Sequence, residues 1–148
     1  MEFADGIRKI IAQNGYAILH VAPEDGRFGY SLTAGLADGG AHELLMVGAA
    51  QNKAFSMLNA AVLALGKSPW KGRVRDVADL AGHRARIVAV DPATFGVPLP
   101  IYRTLERPVP QAMLQVQWAC RAGRFPGDAR YTALCDQDMR RLEIPVLH

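Results

Sequence analysis

The sequence predicts an α+β fold: a single globular domain over residues 1–148, with one mostly antiparallel mixed sheet of about five strands packed against two main helices. Three observations lead there. Strand-like segments recur at 16–21, 28–36, 43–48, 84–90 and 113–120. Two longer segments carry helical period. The order of elements mixes hairpins with one long crossover, which separates it from the regular strand and helix alternation of a parallel α/β fold.

Phe3, Ile7, Ile10 and Ile11 fall at helical spacing, and Asn14 and Gly15 end that helix because both tolerate the left-handed conformation. YAILHV at 16–21 alternates as a strand. Pro23 to Gly26 forms a turn, from which FGYSLTAGL at 28–36 returns as a second, antiparallel strand. ELLMVG at 43–48 is short and apolar, as a buried strand would be. The period then changes, and Ala54, Phe55, Met57, Leu58, Ala61, Val62 and Leu65 make one apolar face of a helix that Gly66 closes.

Pro69, Gly72 and several charges punctuate residues 67–82, so this segment reads as a loop with one short strand near RVRDV and with Trp70 covering the core. RARIVAV at 84–90 is a strand, DPATFG a turn, and Pro98 begins a short helix to Glu106 that Pro108 and Pro110 end. In MLQVQWAC at 113–120, Met113, Gln115, Gln117 and Ala119 share one face, and Leu114, Val116, Trp118 and Cys120 the other. A turn of helix near 133–141 and an extended IPVLH complete the chain.

With 50% hydrophobic and 21% charged residues, 148 residues can bury about two thirds of their unfolded surface in one core. No apolar run approaches a bilayer span, and MEFADGIRKIIAQNG begins acidic without the apolar region and cleavage site of a signal peptide. A cytoplasmic protein is expected, with no membrane partner. Cys120 and Cys135 lack CxxC spacing and are expected as free thiols there. The net charge of +3 resides in a basic second half, but its arginines are dispersed rather than clustered with aromatics. Nucleic acid is therefore not an expected partner. Composition leaves the oligomeric state open.

Motifs that would specify a reaction are missing. His42 and Glu43 are adjacent and point to opposite faces of an extended segment, and His20, His83 and His148 stand at no ligand spacing from them, so no metal site is expected. GLADGG lacks the lysine and hydroxyl of a phosphate loop and precedes a strand instead of a helix. Tyr30 and Thr33 lie on a strand that ends in glycine, where backbone can approach a ligand closely; cross-strand packing accounts for the same residues.

Taken in order, NGYAILHV, FGYSLTAGL, HELLMVG, FSMLNAAV, MLQVQW, GRFPGD and IPVL resemble the bacterial domain-of-unknown-function family numbered 4262, from about residue 14 to the C-terminus. The resemblance matches Phe28, Tyr30, Gly35, Leu36, His42, Glu43, Leu44, Gln115, Trp118, Gly123, Arg124, Phe125 and Pro126. SLTAGL holds one residue more than the family's run, and no proline separates His42 from Glu43. The resemblance implies a small bacterial cytoplasmic α+β domain and no particular reaction or cofactor.

If strands 28–36 and 113–120 share a sheet, Tyr30, Thr33 and Gln115 present polar groups near adjoining loops that carry His42, Glu43 and Arg124. Such a cleft would suit a small polar or anionic ligand, with Arg124 as a forked cation and His42 or Glu43 as a proton acceptor. Catalysis at this cleft is open. A protein-interaction module, such as an immunity or accessory protein, is the alternative; a flavin enzyme is a third reading for which no residue pattern calls.

Overall fold

The computed structural model describes residues 2–22, 29–66, 76–91, 99–110 and 112–119. Among these residues three α-helices, α1 (Glu2–Asn14), α2 (Gln51–Gly66) and α3 (Leu99–Thr104), accompany six strands: β1 (Ala17–Val21), β2 (Tyr30–Ala34), β3 (Glu43–Val47), β4 (Asp76–Leu80), β5 (His83–Val90) and β6 (Met113–Trp118). The strands form one mixed sheet in the order β1-β2-β3-β6-β5-β4. Only β3 and β6 pair in parallel, and the other four neighbouring pairs are antiparallel. The α+β expectation holds, with six strands instead of about five. The segment 67–82, expected as a loop with one short strand, ends in β4, whose Leu80 pairs with His83 across a tight turn at Ala81 and Gly82. Both turn residues have positive φ, as a two-residue hairpin matched to strand twist requires. The short strand expected near RVRDV is thus present, beginning at its Asp76; residues 73–75 lie outside the described residues.

One sheet face packs against α1 and α3 through Ala4, Ile11, Tyr102 and Leu105, while the other packs against α2 through Ala54, Met57, Leu58 and Ala61. A sheet covered on both faces explains why every residue of the central strands β3 and β6 is buried. The alternation expected in 113–118 is kept: Met113 joins the α1 and α3 side, and Leu114, Val116 and Trp118 the α2 side.

Helix α1 forms as expected but turns a different stripe inward. Ala4 and Ile11 are buried, whereas Phe3 is 59% and Ile10 40% exposed. The short Ala4 side chain allows the helix to sit close to the sheet. Its end follows the sequence: Gly15, at φ 87, donates its N–H to the Ile11 carbonyl and turns the chain into β1. Among the described residues, no helix is long and apolar enough to cross a membrane. Trp70, Cys120, Cys135 and the 133–141 turn lie outside the described residues.

Candidate functional site

The start of β1, the end of β2 and the start of β3 meet at one end of the sheet, and the chain between β2 and β3 makes a short 3-10 turn, Leu36–Gly39. Glu43, the first residue of β3, points its carboxylate into that turn. Oε1 accepts from the Thr33 hydroxyl at 3.0 Å and from the Leu36 N–H at 3.1 Å; Oε2 accepts from the Gly35 N–H at 3.1 Å and the Ala37 N–H at 3.4 Å. Thr33 Oγ1 in turn accepts the Leu44 N–H at 2.8 Å. A buried carboxylate thus supplies acceptors that successive amides at a tight turn would otherwise lack. Burial pushes the Glu43 carboxyl above its ordinary value, opposed by the Thr33 and backbone hydrogen bonds.

Gly35 is the residue this arrangement cannot replace. Its φ is 110, and a Cβ there would stand 2.8 Å from the Gly15 carbonyl oxygen and 2.9 Å from Ile11 Cγ2. The β2 end therefore rests directly on the turn leaving α1. On the far side, the Tyr16 hydroxyl donates to Asn59 Oδ1 of α2 at 2.6 Å, so both helical layers are tied to the same corner.

These segments line an open groove of about 690 Å³, bordered by Arg8 and Asn14 of α1, Gly15, Gly35, Asp38 and Arg107. Arg107 reaches it through the ending of α3. Glu106 N–H donates to the Arg103 carbonyl and Arg107 N–H to the Tyr102 carbonyl, both at 2.9 Å, the pattern of a helix ending in a left-handed residue. Glu106 takes that role at φ 56, a conformation glycine usually fills. Arg107 Nη1 then donates to both carboxylate oxygens of Asp38, at 2.9 and 2.8 Å. Arg8 pairs with Asp5 at 2.9 Å and with Glu106 at 3.5 Å.

The residues expected to form one polar cleft separate in the structure. Thr33 and Glu43 meet at the groove end and lie beneath its surface. His42 is exposed and follows Ala41 of the groove wall. Tyr30 pairs with Val47 at the opposite end of β2, is buried, and has its hydroxyl pushed up to about 12 by that burial. Gln115 pairs with Leu45 in mid-sheet; its Oε1 accepts from Gln117 Nε2 at 3.2 Å, and Gln117 Oε1 accepts from Arg86 Nε and Nη2 at 3.1 and 2.9 Å. This buried amide ladder holds β5 to β6. Arg124 lies outside the described residues.

Sequence reasoning missed Asp38 and Arg107 because they pair across 69 positions, and Arg8 because its near partner, Asp5, reads as an ordinary helix-surface ion pair. The Asn14-Gly15 stop and the glycine ending β2 were the available signals, since each marks backbone at a close approach. A second unforeseen pair, His20 Nδ1 and Ser31 Oγ at 2.7 Å, joins β1 to β2; Ser31 is 1% exposed, which fits a cross-strand tie rather than a nucleophile. Among the described residues, no three His, Cys, Asp or Glu side chains gather as metal ligands.

A family model described as Domain of unknown function (DUF4262) matches residues 10–132. No curated protein and no solved structure matches the chain.

Proposed function

The chain belongs to the DUF4262 family, and from that premise we propose that it binds a small polar, anionic ligand in the groove between α1, the 36–39 turn and Arg107. The observation that carries the reading is the placement of two arginines, Arg8 and Arg107, beside the groove whose wall includes the backbone of Gly15 and Gly35. Guanidinium groups match carboxylate and phosphate oxygens in a planar fork, and glycine lets a ligand approach main-chain atoms. Thr33 and Glu43 serve this site from below by fixing the turn, and His42 flanks its wall. Tyr30 and Gln115 serve packing in this reading. A bacterial cytoplasmic setting is part of the proposal; its cytoplasmic half is supported by cysteines without redox-motif spacing.

Calorimetric titration with inorganic phosphate and with succinate tests the reading. Binding of at least one anion, weakened by added salt and lost in Arg107→Gln, is the expected result. Unchanged binding in Arg107→Gln, or no heat from either anion at millimolar concentration, would overturn it.

A protein-interaction module is a second reading, favoured by the exposure of Phe3 and Ile10 along one side of α1. A partner captured by the wild-type chain and lost in a Phe3→Ser, Ile10→Ser double variant, with no anion binding in either, would favour it over the groove.

A further inference from the structure

We propose that Asp38 is a built-in competitor for the anion site: it holds Arg107 until an incoming anionic ligand takes its place. The inference rests on the groove reading above and concerns its regulation. The ion pair is asymmetric. The Arg107 side chain is 21% exposed and that of Asp38 60%, so the cation is seated while the carboxylate can swing into water. Both oxygens of Asp38 share one guanidinium nitrogen, Nη1, an end-on contact in place of the stronger parallel fork.

The backbone makes this exchange inexpensive. Glu43 holds the amides of Gly35, Leu36 and Ala37, and further bonds run from Asp38 N–H to the Gly35 carbonyl at 3.1 Å, from Gly40 N–H to Ala37 at 3.0 Å and from Ala41 N–H to Leu36 at 3.2 Å. The turn therefore keeps its shape when the Asp38 side chain rotates away. Arg107 is likewise held through its own N–H at the end of α3. One ion pair replaces another, and no charge is left unpaired in the groove. Arg8 repeats the arrangement, with the exposed carboxylates of Asp5 and Glu106 against it. A ligand must outcompete these carboxylates, which lowers its apparent affinity by the fraction of molecules in which Arg107 is engaged.

Phosphate titration of the wild type, Asp38→Asn and Arg107→Gln tests the competitor, with thermal unfolding confirming that each variant is folded. Asp38→Asn should bind phosphate about fivefold more tightly than the wild type, the scale of a modest surface ion pair, while Arg107→Gln abolishes binding. A double-mutant cycle on unfolding should also show coupling between Asp38 and Arg107 that saturating phosphate removes. Equal phosphate affinity in the wild type and Asp38→Asn, with Arg107 still required, overturns the competitor and leaves the groove reading standing. Binding unaffected by Arg107→Gln, or absent from all three proteins, overturns both.

Discussion

The Tyr102 hydroxyl donates to the Thr33 carbonyl at 2.9 Å, joining residues 69 apart in sequence. Through it, α3 is anchored to the same strand end that Glu43 organises. Burial and the neighbouring Glu43 and Tyr30 push the Tyr102 hydroxyl up, so it stays protonated and remains a donor. Tyr102→Phe should cost about 1–2 kcal/mol in urea unfolding by leaving one acceptor of the buried carbonyl unused. If α3 also positions Arg107, phosphate affinity falls in the folded variant.

Glu43 gives a pH dependence of definite sign. Because burial raises its folded-state value above the ordinary 4.5, the folded protein holds this proton more tightly than the unfolded chain does. Its contribution is complete below that ordinary value and is lost as pH rises through the raised one. The stability difference between wild type and Glu43→Gln should shrink over that interval and level off above it. Denaturant unfolding from pH 4 to 8 measures it, and a difference that grows with pH would contradict the assignment.

Gly35 and Gly40 separate backbone strain from crowding. Both have positive φ, but a Cβ at Gly40 meets nothing within 4 Å, whereas one at Gly35 collides with Gly15 and Ile11. Gly40→Ala should cost about 1–2 kcal/mol for the left-handed conformation alone. Gly35→Ala should cost about 3 kcal/mol or more, since the crowding adds to it. Equal losses would place the effect in the backbone only.

What the sequence made legible follows from how local each signal is. The β1 and β2 hairpin, the helical face of α2 and the two faces of β6 each depend on residues a few positions apart, and all were read correctly. Strand β4 was expected as one short strand near RVRDV and runs a little later, over Asp76–Leu80, and the inward stripe of α1 was misjudged because small Ala4, not large Phe3, meets the sheet. Thr33 and Glu43 were singled out as polar groups for a ligand; in the structure they bond to each other and to the turn. Whether a polar side chain faces a ligand or the protein's own amides is decided by tertiary geometry. Arg107 finds its partner only when residues 69 positions apart are brought together.

The carboxylate of Glu43 recognises the turn by its main chain alone. Three of its four partners are backbone amides, which every residue except proline offers. The Asp38 amide is likewise spent on the Gly35 carbonyl, so the bonds that shape the loop at 37 and 38 run through main chain and leave both side chains without a part in them. Asp38 borders the groove, so its side chain is where an engineer would begin to graft a new recognition surface onto a loop whose path is written in main chain.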